Sequence, residues 1–335
     1  MNDRYSRQIL FNGIKTEGQK NLSGSHVVIV GAGALGSASS EMLVRAGVGK
    51  VTILDRDYVE YSNLQRQQLY TESDADERIP KAAAAEARLQ SINRDVDVEG
   101  IIEDVVPETL ERYQHADLII DALDNFATRM IINDTSQKYH IPWIYGACVA
   151  SYGLSYTILP GEKPCLSCIL GTVPTGGDTC DTAGVISPAV QMTASLQTAE
   201  ALKLLAGNKE ALREELIQFD VWTNETRKIG VNRLKDSGCP SCGENPQYPY
   251  LQAGNQTRTA VLCGRDTVQI RPPHDVSFDA LKRTLAPYSP KMNSYLLQVS
   301  LEGKRIVLFK DGRALVHDTS EETEALALYQ RYISG

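Results

Sequence analysis

Residues 26–36 read HVVIVGAGALG, and VTILD follows at 51–55. An unbroken apolar run of this kind is a strand covered on both faces. Gly31, Gly33 and Gly36 stand where the run ends, and Leu35, Ala38, Met42 and Ala46 then recur at helical spacing. Strand, glycine turn, helix and second strand make the first unit of a doubly wound parallel sheet. The chain is therefore expected to be α/β and Rossmann-like.

Later segments fill in that sheet. Pro80 opens a helix through AAAAEARLQSI, VDVEGIIE at 96–103 and DLIIDAL at 117–123 are strands, and PETLERY is a short helix. Residues 141–159 read as two strands joined by Gly/Ser turns, which makes the late part of the sheet mixed. A long helix runs from Pro188 to Leu205, with Ala189, Met192, Leu196 and Ala199 expected on its inner face. LIQFDVWT and KIGVNRL form a last strand pair. The character changes near residue 250. A polar hinge, LQAGNQT, leads into a ββαβββα pattern, so residues 1–250 and 251–335 are expected to be separate domains, the second small and α+β. Asp311-Gly312 is a hairpin signal within it.

The glycine loop implies a phosphate ligand. Its first glycine permits the tight turn, its second lets phosphate approach the backbone, and its third lets helix pack on sheet. Asp55 ends the second strand, where a carboxylate accepts hydrogen bonds from both ribose hydroxyls. Taken alone, this describes an NAD-dependent oxidoreductase. Asn63, Arg66 and Lys81 lie just beyond the ribose acid and argue for a more highly charged ligand, a nucleoside triphosphate. Arg66 offers a planar fork and Lys81, at a helix start, a mobile point charge. Both are expected to meet phosphate and not the core. Read singly, each is a solvated surface cation.

The formal net charge of −8 argues against general affinity for nucleic acid or anionic membrane. MNDRYSRQ is polar and charged, with no apolar stretch behind it, and no run approaches a membrane span, so a cytoplasmic location is expected. Seven cysteines in such a chain suggest metal or redox chemistry rather than disulfides. Cys165-Leu-Ser-Cys168 and Cys239-Pro-Ser-Cys242 together match a closed, structural tetrathiolate zinc site, with redox CxxC motifs as the alternative. Cys148 and Cys263 are expected to be buried. The five histidines are scattered and read as structural or surface.

RYSRQ, GAGALG, LDRDYVEYSNLQRQ, PK, LDNFATR, the two CxxC pairs and TCDTAGV occur in this order, and over about residues 1–250 the chain resembles the ThiF/MoeB adenylyltransferases, bacterial relatives of ubiquitin-activating enzymes. The tail is similar to the extension of ThiF-type proteins from Bacillus relatives. The resemblance implies ATP- and Mg²⁺-dependent adenylation of the C-terminal glycine of a ubiquitin-like sulfur carrier, ThiS or MoaD. It implies that Asp55 binds ribose, that Asn63, Arg66 and Lys81 contact the nucleotide, and that Asp124 holds magnesium or orients the reacting centre. Arg7 would reach into a partner subunit's site, making a homodimer with composite sites. By residue type alone, Asp121 competes with Asp124 and Arg4 with Arg7. Cys180, in the Gly/Thr/Asp-rich stretch GTVPTGGDTCDTAGV, matches a cysteine that ThiF-type relatives link covalently to the carrier and that the MoeB branch does not need for adenylation. An unreactive loop thiol is the other reading. A fold that has lost turnover and serves only as a binding module is the remaining functional alternative.

Overall fold

The computed structural model describes residues 3–171, 182–252, 258–261 (backbone only), 266–271, 277–310 and 312–333. The chain divides into two compact units, Met1–Gln252 and Ala253–Gly335. In the first, α1 (Ser6–Ile9) and α2 (Lys15–Gly24) lead into β1 (His26–Val30), α3 (Ala34–Ala46) and β2 (Lys50–Leu54). Next come α4 (Glu72–Asp76), α5 (Lys81–Ile92), β3 (Asp97–Ile101), α6 (Pro107–Glu111), β4 (Leu118–Asp121) and α7 (Phe126–Tyr139). They are followed by β5 (Trp143–Val149), β6 (Tyr152–Ile158), α8 (Leu166–Leu170), α9 (Ser187–Leu205), β7 (Leu216–Asp220) and β8 (Glu225–Ile229).

These strands form one sheet in the order β3-β2-β1-β4-β5-β6-β7-β8. Pairing is parallel from β3 to β5 and antiparallel from β5 to β8. The chain steps outward from β1 to β3, then returns to lay β4 against the other side of β1. That reversal opens a crevice beyond the carboxyl ends of β1 and β4, where such sheets bind ligands. The apolar run of β1 follows from its position. Val27 and Ile29 face a core shared with Leu35, Leu43 and Val190, whereas Val28 and Val30 face a second core with Met130 and Trp143.

The inner face of α9 differs from the one expected. Ala189 is fully buried, but Met192 and Ala199 are exposed and Leu196 is half-buried. Thr193, Gln197, Thr198 and Glu200 are buried instead. The polar side chains turn inward because each finds a partner: Thr193 and Thr198 donate to the carbonyls of Ala189 and Ala194, and Gln197 Nε2 donates to Asp121 O at 2.7 Å.

The second unit contains β9 (Arg258–Val261), β10 (Thr267–Arg271), α10 (Phe278–Leu285), β11 (Lys291–Met292), β12 (Leu296–Leu301), β13 (Lys304–Phe309), β14 (Ala314–His317) and α11 (Glu322–Tyr332). Its sheet runs β11-β12-β13-β14-β10-β9 with antiparallel pairing. Val268, Ile270, Leu297, Val299, Ile306 and Leu308 pack against Leu281, Leu285 and Leu328 of its helices. The two-residue β11 is an element that the sequence reading did not include. Gly312 N–H donates to Phe309 O at 3.0 Å in the β13–β14 turn; Asp311 lies outside the described residues.

Candidate nucleotide site and cysteine cluster

The loop after β1 is shaped by close approach. Gly31 has φ +101°, and a Cβ there would lie 2.6 Å from Ala122 O. A Cβ on Gly36 would lie 1.9 Å from Gly31 O, so the first turn of α3 sits directly on the loop. Gly33 is different. A Cβ there would meet nothing nearer than Gln67 Nε2 at 3.9 Å, so the loop presents its backbone to open space at the N-terminus of α3. Such a terminus collects unsatisfied N–H groups and partial positive charge, and suits an anion.

Asp55 is held on this loop. Its Oδ2 accepts from Ala32 N–H at 2.6 Å and its Oδ1 from Asp57 N–H at 2.7 Å. Burial pushes its carboxyl above the ordinary range, while the Lys81 charge pulls the other way. Tyr70 donates to Ala32 O at 2.6 Å and backs the loop from behind.

The structure corrects the expectation for Lys81. It is no mobile surface cation: it is 3% exposed, and its Nζ lies 3.6 Å from Asp57 Oδ2. Its N–H, at the first turn of α5, donates to Asp57 O at 2.8 Å. The helix start after Pro80 is itself buried, and the side chain lies beside Asp55 and Asp57.

Asn63 is buried, and its Oδ1 accepts from Glu60 N–H at 3.1 Å. It thus fixes the turn that carries Arg66. Arg66 is partly exposed. It donates to Ser62 O at 2.8 Å and has no ion-pair partner among the described residues. Gln67, which the sequence reading passed over, is buried with its Oε1 lacking a hydrogen-bond partner.

Across the crevice, β4 ends at Asp121. This residue is fully buried, accepts from Leu123 N–H at 2.9 Å and pairs with Arg129 Nε at 3.0 Å. Arg129 also donates to the carbonyls of Leu123 and Gly146 and lies over the rings of Phe126 and Tyr145. Asp121 is therefore consumed by the fold. Asp124 is exposed, with no side-chain partner among the described residues, directly before Asn125, whose side chain caps α7 through Thr128 N–H. Arg56, paired with Asp104 at 3.0 Å, feels Asp57, Asp124 and Asp55 as well. Asp55, Asp57, Lys81 and Asp124 thus gather around one crevice. Asp57, Arg56 and Arg129 were missed; the second aspartate of LDRD and the arginine of LDNFATR were the available signals.

Arg4 donates to Ile92 O at 3.0 Å. Arg7 in α1 is exposed, with no partner among the described residues. Cys180 and Cys263 lie outside the described residues, and Cys148 is half-buried against the core.

The four cysteines of the CxxC pairs do meet. Sulfur separations are 3.8 Å for Cys165–Cys168, 3.7 Å for Cys165–Cys239 and 3.4 Å for Cys168–Cys242. A tetrahedral zinc with Zn–S bonds of about 2.3 Å requires sulfurs about 3.8 Å apart, so the donor set fits that ion. Among the described residues these cysteines are the one cluster of at least three metal-ligating side chains. Without a cation, burial pushes the Cys168 thiol up to about 11. A bound cation reverses that preference, because the ligand is the thiolate.

Residues 5–241 match the ThiF family. The chain is 52% identical over 338 residues to the sulfur carrier protein ThiS adenylyltransferase of Bacillus subtilis, covering 99% of this chain and 100% of that one. It is 36% identical to the molybdopterin-synthase adenylyltransferase of Escherichia coli over 72% of this chain and 96% of that one. The crystal structure of E. coli MccB with MccA-N7isoASN shares the fold at a TM-score of 0.64 and 21% identity, over 72% of this chain and 76% of that one. No helix among the described residues is long and apolar enough to cross a membrane. With its parallel-then-antiparallel sheet, its glycine loop and these relatives, the chain belongs to the ThiF family.

Proposed function

We propose that this chain is a nucleotidyltransferase that adenylates the C-terminal glycine carboxylate of the ubiquitin-like sulfur carrier ThiS. The carrier carboxylate attacks the α-phosphorus of ATP, an acyl-adenylate forms and pyrophosphate leaves. The observation that carries this choice of carrier is the likeness to the Bacillus subtilis ThiS enzyme along the whole chain, tail included. The same reaction on MoaD, the molybdopterin carrier, is the second reading, favoured by the E. coli relative that matches 72% of this chain.

The carboxylate is ionised at neutral pH, so no general base is required. The protein has to position two reactants and neutralise the leaving pyrophosphate. In this reading Asp55 accepts from the ribose hydroxyls, and the Gly31–Gly36 loop receives phosphate at the start of α3. Arg66 and Lys81 face the phosphates, Lys81 as a fixed buried charge and Arg66 as the adjustable one, with Asn63 fixing the turn that carries Arg66. Mg²⁺, which takes one or two carboxylates together with phosphate oxygens and water, would be held at Asp124 and would offset charge on the triphosphate. Asp124 suits this because its carboxylate is exposed and uncommitted. Zinc would be held by Cys165, Cys168, Cys239 and Cys242 in a closed, structural role. Arg7 would enter the site of a second subunit in a homodimer. Leu10 and Phe11 beside it are 71% and 65% exposed, the kind of apolar surface that a subunit covers. Cys180 is the candidate thiol for the activated carrier: its thiolate would attack the acyl carbon and AMP would leave.

Carrier-dependent exchange of labelled pyrophosphate into ATP, with magnesium and with ThiS and MoaD supplied separately, tests the proposal. Exchange with ThiS alone supports it. Exchange with MoaD alone reassigns the pathway, and exchange with neither removes the assignment.

A further inference from the structure

The two CxxC turns come from segments 74 positions apart, and something must hold them at metal-binding distance. Their middle residues provide a link. Ser167 Oγ and Ser241 Oγ lie 3.0 Å apart. Helix α7 reaches both turns through two adjacent, fully buried side chains. Asn133 Oδ1 accepts from Leu166 N–H at 2.8 Å, and its Nδ2 lies 3.3 Å from Ser167 Oγ. Asp134 lies against the Ser241 hydroxyl and accepts from Tyr250 N–H at 2.9 Å.

Asn133 Nδ2 donates to Ser167, and the Ser167 and Ser241 hydroxyls share one hydrogen bond between the two turns. A connected polar chain thus runs from an amide on α7, through one serine of each CxxC turn, to Asp134 on α7. None of its members is a sulfur ligand.

We propose that Asn133, Asp134, Ser167 and Ser241 are positioning residues that set the metal affinity of the cysteine cluster, by fixing both turns on α7 before the ion arrives. The inference rests on the zinc reading of that cluster. Binding to a preformed tetrathiolate avoids the cost of ordering two separate turns, and loss of such outer partners weakens metal binding by about 10–100-fold.

The test uses the full chain and zinc itself, with affinity measured by competition against a chromogenic chelator. Ser241→Ala deletes the central hydroxyl at little cost in volume. Ser136→Ala is the control: Ser136 is equally buried on α7 and donates to Ile141 O at 2.7 Å, but touches neither turn. The expected result is a loss of about tenfold or more in zinc affinity for Ser241→Ala. Ser136→Ala should keep the unmodified affinity, even where its melting temperature falls as far. The ligand-field absorption of cobalt in the same site should weaken or shift in Ser241→Ala only. Unchanged affinity in Ser241→Ala would overturn the proposal, as would an equal loss in Ser136→Ala. If the unmodified chain takes up no zinc, the metal reading fails and this inference with it.

Discussion

Lys81 Nζ lies 3.6 Å from Asp57 Oδ2, inside the protein and not on its surface. One buried cation therefore serves two carboxylates, since Asp55 also feels its charge. Under the proposed function this would give Lys81 two duties, holding the crevice together and facing phosphate, whereas partly exposed Arg66 would have only the second. The two should separate experimentally. Lys81→Ala should cost about 1–3 kcal/mol of stability, the cost of withdrawing a partner from a buried polar group. Arg66→Ala should change stability by no more than about 0.5 kcal/mol, as surface substitutions do. Both should lower pyrophosphate exchange by about 100-fold or more, the loss seen when a charge-stabilising donor is removed. Denaturant unfolding and exchange rates on the same preparations decide the matter. Full exchange in Arg66→Ala would remove it from the phosphate site.

The glycine loop predicts a second separation. Gly36→Ala places a methyl group 1.9 Å from Gly31 O, where backbone must move, and should cost about 3 kcal/mol or more or prevent folding. Gly33 has φ −72° and no atom within 3.9 Å of an added Cβ. Gly33→Ala should therefore fold normally, yet weaken ATP binding because the methyl group fills the place where phosphate approaches. Circular dichroism and nucleotide titration together read both effects. Tight ATP binding by Gly33→Ala would mean that the ligand does not sit over this loop.

The sheet was legible because β1, β2 and β4 are buried on both faces and so appear as unbroken apolar runs, with the glycine loop marking where a ligand crevice opens. The inner face of α9 was illegible for the opposite reason. Its packing uses Thr193 and Thr198, whose hydroxyls bond the helix's own carbonyls one turn back, and Gln197, whose partner, the Asp121 carbonyl, only the folded chain supplies. The same limit applies to Lys81, where the sequence displays a cation but not the aspartate that draws it inward. Arg129 was overlooked because its partners, Asp121 and the carbonyls of Leu123 and Gly146, meet only when β4, β5 and α7 are assembled.

That assembly makes Arg129 sensitive. Arg129→Met leaves the fully buried Asp121 carboxylate without its cation, and breaking a buried pair costs about 3–5 kcal/mol. Asp121→Asn in the same background should recover part of this by removing the stranded charge. Thermal unfolding of the single and double variants measures the recovery. Additive losses would show that the two residues are not coupled.

Zinc removal should act on stability before chemistry. The cysteines tie α8 to the segment near residue 240, and none of the residues assigned to the nucleotide is among them. Chelation should lower the melting midpoint, while ATP binding persists at temperatures well below it. An unchanged midpoint after verified loss of zinc would exclude a structural metal.

Glu200 gives the pH dependence a sign. It is buried, yet its carboxyl lies below the ordinary range. Burial works to raise it, and Lys203 at 2.7 Å, Arg213 N–H at 2.9 Å and the Arg213 charge outweigh that. A depressed carboxyl pKa adds stability above the unfolded value of about 4.3, and that stability is lost as pH falls through the lower folded value. Glu200→Gln should therefore be less stable than the unmodified chain at neutral pH, by about 1–3 kcal/mol. The gap should close on acidification, because the protonated acid and the amide both lack the charge that Lys203 and Arg213 reward. Comparing the two proteins cancels the titration of every other carboxylate. Unfolding free energies from neutral pH into acid measure the gap, and one that stayed constant throughout would show that Glu200 contributes by shape and not by charge.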